Sequence, residues 1–166
     1  MLDFLFAKEF AINAHANVNQ LYDGQPYAVH LCKVVSVAEK FIHLVPIDWR
    51  DCVLAACWLH DTIEDARLTY NDIKKQFGVR IADMVYALSN EKGKTRAERA
   101  NDKYYKGIRD TPDATFVKLC DRIANFEYSK QTKSRMEDCY REENEHFISQ
   151  LYDPTYNEMI DYIKSL

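Results

Sequence analysis

Residues 54–65 read LAACWLHDTIED, in which six apolar or small residues lead directly into a segment with four ionisable side chains. A helix that buries Trp58 and its apolar neighbours carries His60 and Asp61 at the edge of its buried face. A charge beside a core is costly unless it is paired or coordinates a metal ion. An imidazole next to a carboxylate suits a divalent cation. The stretch therefore predicts metal ligands at the end of a buried helix; the alternative is an acidic helix end in water.

The whole chain has the composition of a globular protein. Its 166 residues are 47% hydrophobic and 29% charged, which predicts a single domain over residues 1–166. The net charge of -4 gives no general affinity for polyanions, so a nucleic-acid partner is not expected. Any phosphate-bearing substrate would need a local basic patch or a metal. No apolar run approaches the roughly 18 residues of a membrane span, so no membrane partner is expected.

Helical periodicity and few helix breakers predict an all-α fold. With only 4 Gly and 4 Pro, and with no convincing period-2 alternation, the chain favours a compact bundle of about seven to nine helices. Asp48 is predicted as an N-cap, Thr69 and Asp72 as a capping box, and Gly78 as a helix stop. Residues 90–99 form a polar loop that enters a helix. The predicted helices cover residues 2–20, 27–44, 48–62, 69–78, 79–88, 113–129 and 135–151, with a last one from 153.

The cysteines indicate the compartment. Their number is odd, and four lie in apolar helical patterns, which favours buried thiols in a reducing, cytoplasmic setting over a disulfide framework. The N-terminal residues lack the basic leader of a secretion signal. The chain is expected to be a monomer or a homodimer, with Tyr152, Tyr156 and Tyr162 either packed inside or at a dimer face. The five cysteines are Cys32, Cys52, Cys57, Cys120 and Cys139.

Two further side chains border the predicted core. His30 lies between apolar residues near the start of a helix, and Asp121 lies in the most apolar helix of the chain. Each has an ordinary alternative, namely a hydrogen-bonded core histidine and a salt bridge to a distant Arg or Lys. Together with His60 and Asp61 they offer two nitrogen and two oxygen ligands. This set fits an octahedral site for Mn²⁺ or another divalent cation, with positions left for water and substrate.

Four motifs, in this order, resemble a known family. They are GQPYAVH at 24–30, HDTIED at 60–65, FG at 77–78 and VKLCDRIAN at 117–125. Their order resembles the HD superfamily of metal-dependent phosphohydrolases. The match is closer to the hydrolase domain of Rel/Spo-type enzymes and their small single-domain relatives. It covers roughly residues 5–150, and the Glu-Asp pair of the second motif is its most specific part. The resemblance implies an HD-domain bundle that removes the 3′-pyrophosphate from guanosine tetra- and pentaphosphate, (p)ppGpp.

The resemblance also implies roles for individual residues. Glu64 lies one turn after His60, so its carboxylate could reach an attacking water without being a metal ligand. The alternative is that Glu64 and Asp65 form a solvated helix end. The implied Mn²⁺ ligands are His30, His60, Asp61 and Asp121, and the implied catalytic residues, which orient and deprotonate water, are Glu64 and Asp65.

Substrate contacts are predicted on two segments. Asn125 falls one turn after Asp121 and Lys118 three residues before it, so all three share a helix face. The resemblance puts Asn125 at a nucleotide-contacting position. The loop at 92–99 concentrates cations in an acidic chain, so it could clamp phosphates, or it could be an ordinary solvated loop. Tyr104 or Tyr105 could stack on a base. The predicted clamp consists of Lys92, Lys94, Arg96 and Arg99.

The chain departs from the family pattern at two places. The family often carries an Arg-Lys pair before the first motif, whereas residues 19–23 read NQLYD, where Tyr22 could stack on the base instead. Leu31 stands where the family usually has proline. The first departure leaves room for an adenosine analogue of the substrate. Two other functions stay open: a generic HD phosphatase acting on nucleoside monophosphates or NADPH, and a non-catalytic module that senses a nucleotide.

Overall fold

The chain folds into an all-α bundle, as predicted. The computed structural model describes residues 4–166, which contain nine helices of eight residues or more and two of four residues. Two antiparallel strands of two residues each, β1 (Leu21–Tyr22) and β2 (Gln25–Pro26), form a small hairpin. The helices are α1 (Phe4–Asn17), α2 (Ala28–Phe41), α3 (Arg50–Leu59), α4 (Thr62–Asp65), α5 (Tyr70–Phe77), α6 (Val79–Ala87), α7 (Arg96–Arg99), α8 (Asp102–Asp110), α9 (Ala114–Gln131), α10 (Met136–Leu151) and α11 (Asn157–Ser165).

Most predicted elements lie close to observed ones, because their signals are local. Thr69 and Asp72 form the predicted capping box, and Gly78 ends α5 with φ 85°. The predicted helix at 27–44 is α2 followed by a 3-10 turn at Ile42–Leu44. The predicted start of the first helix, at residue 2, lies outside the described residues.

Two predictions about the helices were wrong. Asp48 does not cap α3: it lies inside a 3-10 turn, Ile47–Trp49, and Trp49 occupies the N-cap position without a side-chain cap. The helix predicted at 48–62 ends at Leu59, and α4 follows as a separate turn. The polar stretch at 90–99 does enter helical structure, first the short α7 and then α8, whose bounds were not predicted and whose buried residues are Tyr104, Tyr105 and Ile108.

Helix α9 is the centre of the bundle. It contacts α2, α3, α6, α8, α10 and α11, because it is apolar around most of its circumference. Phe116, Leu119, Ile123 and Phe126 on α9 are fully buried. The packing of α2 and α3 against α9 brings three distant parts of the sequence to one point, where the candidate ligands lie.

The five cysteines differ from one another in solvent exposure, and so do the three tyrosines near the C-terminus. All five cysteines are free; Cys57 and Cys120 are buried, whereas Cys32 is exposed. Tyr156 packs in the core, Tyr162 donates to Glu127, and Tyr152 is 58% exposed. Within residues 4–166, no helix combines the length and the apolar character that crossing a membrane requires.

Candidate active site

The side chains of His30, His60, Asp61 and Asp121 converge on one point. Nε2 of His30 lies 3.4 Å from Nε2 of His60, 3.4 Å from Oδ2 of Asp61 and 3.2 Å from Oδ1 of Asp121. Nε2 of His60 lies 2.9 Å from Oδ2 of Asp61 and 3.5 Å from Oδ1 of Asp121. Neighbouring ligands of an octahedral cation, each about 2.1 Å from it, are about 3.0 Å apart. The four donor atoms therefore fit a divalent metal ion.

A break in the helix makes the His60-Asp61 pair possible. Adjacent residues in a continuous helix point about 100° apart. Here α3 ends at Leu59, and Asp61 leaves the helical conformation with φ -99° and ψ 2°. The two side chains consequently reach the same point. His30 comes from the first turn of α2 and Asp121 from the middle of α9.

Hydrogen bonds orient the ligands. Nδ1 of His60 donates to the carbonyl oxygen of Cys57 at 2.8 Å, which leaves Nε2 free to face the centre. The hydroxyl of Tyr27 donates to Oδ2 of Asp61 at 2.7 Å and to Oδ2 of Asp65 at 3.1 Å. Tyr27 thus connects a candidate ligand to a candidate catalytic carboxylate, a link that the sequence analysis missed.

Asp121 is supported from its own helix. Lys118 donates to Oδ2 at 2.9 Å, and Nδ2 of Asn125 donates to Oδ1 at 2.8 Å. The hydroxyl of Tyr22 donates to Oδ1 of Asn125 at 2.7 Å, and the Tyr22 ring stacks on His30 with 4.7 Å between centroids. Lys118, Asn125 and Tyr22, all predicted to contact substrate, therefore also surround the metal ligands.

The titration of the centre depends on whether a cation is bound. Burial lowers the pKa of His30 and His60, but contacts with Asp121 and Asp61 outweigh it, so the pKa of both histidines is raised above 6.5. Burial likewise opposes ionisation of Asp121, but Lys118 and the histidines hold its pKa well below the usual range. Without a cation, the four groups therefore form ion pairs between imidazolium and carboxylate.

We expect divalent cation binding to release protons. A histidine must be neutral to coordinate a metal, so the raised histidine pKa values make metal affinity increase as pH rises through them. The ion pairs stabilise the metal-free fold below pH 6.5, and this contribution is lost as pH rises through the raised histidine pKa values. Titration calorimetry of Mn²⁺ in buffers of different ionisation enthalpy measures the released protons. Binding at neutral pH without proton release would contradict this prediction.

Glu64 and Asp65 lie in α4, beside the centre, in different environments. Burial, followed by the charges of Asp61 and Glu64, raises the pKa of Asp65 to about 6. Both carboxylate oxygens of Glu64 instead accept hydrogen bonds from Asn90. Asp65 can therefore hold or release a proton near neutral pH, while Glu64 is held as an acceptor.

A cavity of about 610 Å³ opens beside the four ligands, a volume suited to a small-molecule substrate. Asp65 and Glu64 line it, as do the aromatic rings of Tyr104 and Tyr105. The hydroxyl of Tyr104 donates to the carbonyl oxygen of Leu88. Lys92 and Lys94 do not line the cavity, because they lie on the exposed stretch before α7. The other residues predicted to contact substrate do line it: Tyr22, Arg96, Arg99, Lys118 and Asn125.

An ion-pair network not predicted from the sequence forms another wall of the cavity. Glu143 on α10 accepts from Arg96 at 2.8 and 3.2 Å and from Arg122 at 2.9 Å. The guanidinium of Arg122 lies between Tyr140 and Phe147, 4.7 and 4.5 Å from their ring centroids. Arg96 is therefore already paired, whereas Arg99 has no ion-pair partner among residues 4–166.

Comparison with known proteins agrees with this geometry. A family model described as HD domain matches residues 7–149, nearly the whole chain. The chain belongs to the HD-domain family. The resemblance seen in the sequence is thereby confirmed, and the matched range contains the four residues that converge in space.

Curated relatives of this HD domain have names that describe an activity. The mouse protein named guanosine-3′,5′-bis(diphosphate) 3′-pyrophosphohydrolase MESH1 is 28% identical over 73% of the chain and 66% of its own length. The Aquifex aeolicus protein named guanosine-3′,5′-bis(diphosphate) 3′-pyrophosphohydrolase is 34% identical over 72% of the chain, but the match spans only 16% of that protein. In both cases the matched region covers less than two thirds of the relative.

A solved structure shares the fold. It is described as a metazoan ortholog of SpoT that hydrolyzes ppGpp, and it superposes with a TM-score of 0.74. The comparison covers 99% of this chain and 95% of that one at 18% sequence identity. At this identity the likeness concerns the fold alone.

Proposed function

We propose that this HD domain is a divalent-metal-dependent hydrolase that removes the 3′-pyrophosphate of (p)ppGpp or a close nucleotide analogue. The observation that carries the proposal is the convergence of His30, His60, Asp61 and Asp121 beside the Glu64-Asp65 pair, within a nucleotide-sized cavity. The activities named for the mouse and Aquifex aeolicus relatives support the choice of substrate. We propose Mn²⁺ as the cation and the cytoplasm as the site of action, for a monomer or a homodimer.

Glu64 and Asp65, the two carboxylates of α4, have different roles in the attack of water. A bound divalent cation would lower the pKa of water and offset charge on the phosphoryl oxygens. Glu64 orients the attacking water through the carboxylate lone pairs that Asn90 leaves unused. Glu64 takes up the proton of that water, and Asp65, with its raised pKa, supplies a proton to the leaving oxygen; both carboxylates then return to their starting states by proton exchange with solvent. Tyr27 holds Asp65 next to Asp61 during this transfer.

The nucleotide would lie along the cavity away from the ligands. Arg96 and Arg99 on α7 provide charge for its phosphates, with Lys118 nearer the centre. Asn125 and Tyr22 lie on the side where the base or the ribose would enter. Lys92 and Lys94 would act only at longer range, by attracting the anion.

Turnover assays with identified products test the proposal. We expect pyrophosphate release from ppGpp in the presence of Mn²⁺, and loss of turnover when a chelator removes the metal. The adenosine analogue and NADPH in the same panel establish base preference. Orthophosphate release from nucleoside monophosphates or from NADPH would favour a generic HD phosphatase. Tight ppGpp binding with no turnover under added Mn²⁺ would indicate a sensing module.

A further inference from the structure

Asn90 holds the whole carboxylate of Glu64. Its backbone N–H donates to Oε2 at 3.0 Å, and its side-chain Nδ2 donates to Oε1 at 3.0 Å. A carboxylate has about four lone-pair sites, so each oxygen keeps one for another partner. Because a single residue binds both oxygens, rotation of the carboxylate would break at least one of these bonds. Asn90 also lines the cavity.

Asn90 is itself held on both sides. Before it, the carbonyl oxygen of Leu88 accepts from the hydroxyl of Tyr104 at 3.2 Å. After it, the backbone N–H of Glu91 donates to the carbonyl oxygen of Arg99 at 3.1 Å. These bonds tie the segment at 88–91 to α7 and α8. These two bonds therefore restrict the position of Asn90, whose side-chain amide binds Glu64.

Two of the cationic side chains that line the cavity lie shortly after this segment in the sequence. Arg96 and Arg99 lie on α7, only a few residues after Asn90, and the bond between Glu91 and Arg99 closes that loop onto itself. A phosphate bound by either guanidinium would be linked through this backbone to Asn90. Asn90, which binds Glu64, and the candidate phosphate contacts Arg96 and Arg99 therefore lie on one stretch of backbone, residues 90–99.

We propose that Asn90 is a positioning residue for Glu64, and that it couples the placement of this carboxylate to the phosphate-contacting segment at 90–99. This inference rests on the proposed function. Its physical basis is orientation, since a misplacement of about 1 Å in a reacting group can cost about 100-fold in rate. Asn90 does not touch the reacting atoms; it acts through Glu64.

Two substitutions separate positioning from simple folding. Asn90→Ala removes the side-chain donor but keeps the backbone bond, and we expect kcat to fall about tenfold with KM changed less than about twofold. Asn90→Asp keeps the shape of the side chain but places an acceptor against a carboxylate, and we expect a loss of about 100-fold at neutral pH.

Controls come from the same chain. Asn71→Ala makes the same chemical change at an exposed position on α5, and it should leave kcat, KM and the melting temperature unchanged. In a double-mutant cycle, Asn90→Ala should cost nothing further once Glu64→Ala has removed the carboxylate. A merely structural role for Asn90 would predict equal losses in both backgrounds and a lower melting temperature.

The outcomes distinguish this inference from the proposed function. If the wild-type chain turns over none of ppGpp, its adenosine analogue and NADPH with Mn²⁺, the proposed function fails and the inference fails with it. If the wild type is active but Asn90→Ala keeps full kcat, or loses activity through KM alone, the inference fails while the proposed function stands. A multiplicative loss in the Glu64→Ala background would also overturn the inference.

Discussion

Asp121→Asn is expected to lower both Mn²⁺ affinity and ppGpp turnover by at least about 100-fold, since loss of even an outer-shell partner of a metal ligand costs about 10- to 100-fold. The substitution keeps the size of the side chain but removes the charge that faces both imidazoles. It also leaves the partly buried Lys118 without its partner carboxylate. Calorimetric Mn²⁺ titration and initial rates at saturating ppGpp measure the two effects.

The melting temperature supplies an independent readout of the same change. Mn²⁺ should raise the melting temperature of the wild type, because a ligand that binds only the folded state stabilises it, and this increase should disappear in Asp121→Asn. Asp83→Asn is the matched control: Asp83 accepts from Tyr70 on the exposed side of α6, away from the cavity. Wild-type metal affinity in Asp121→Asn would remove Asp121 from the ligand set.

The local signals in the sequence were sufficient for most helices. The Thr69-Asp72 box and Gly78 act within one or two turns, so their residues alone determine where α5 begins and ends. The bounds of α8 were not predicted, because its buried stripe is narrow and polar residues dominate its composition. Asp48 failed as a cap because Pro46 and Ile47 start a 3-10 turn before α3 begins.

The candidate ligands could be found from the sequence because a charged side chain beside a buried apolar segment is unfavourable unless it is paired or binds a metal. His60 and Asp61 follow an apolar run, and Asp121 interrupts one, so each residue signals an unusual environment. The break at Asp61 could not be read from the same residues, because nothing local distinguishes it from a continuing helix. Only the packing of α4 near α1 and α6 fixes that geometry.

The partners of the cavity side chains could not be predicted, because they lie far apart in sequence. Glu143 is 47 residues from Arg96 and 21 from Arg122. Tyr22 is 103 residues from Asn125. Arg96 therefore looked like a free phosphate ligand in the sequence, whereas in the structure a substrate phosphate would compete with Glu143 for it. Such competition is a property of the tertiary fold and leaves no pattern in a short window.

Tyr22 lies in the segment at 19–23, where the sequence lacks the Arg-Lys pair of the family pattern. Its ring covers His30, and its hydroxyl bonds Asn125, so an aromatic side chain fills the place next to the centre. A neutral residue there contributes stacking surface without charge. The cationic side chains that line the cavity are on α7 and α9: Arg96, Arg99, Lys118 and Arg122.

Glu64→Ala is expected to lower kcat for ppGpp by about 10² to 10⁴, the range that a positioned acid–base group contributes. KM and Mn²⁺ affinity should stay near the wild-type values, because Glu64 is outside the ligand set and its oxygens bond Asn90. Steady-state kinetics of pyrophosphate release and calorimetric Mn²⁺ titration measure these quantities on the same preparation. A drop in kcat with intact metal binding separates the role of Glu64 from that of Asp121.

The comparison with Glu64→Gln sharpens the assignment. The amide has the same size as the carboxylate, yet it cannot take up a proton and can accept through only one oxygen. If Glu64 works by orienting and deprotonating water, Gln should be nearly as inactive as Ala, whereas a role limited to anchoring Asn90 would let Gln retain much of the rate. Glu39→Ala, at an exposed position on α2, controls for the loss of one negative charge. Turnover within about threefold of wild type in both Glu64 variants would transfer the role of base to Asp65 alone.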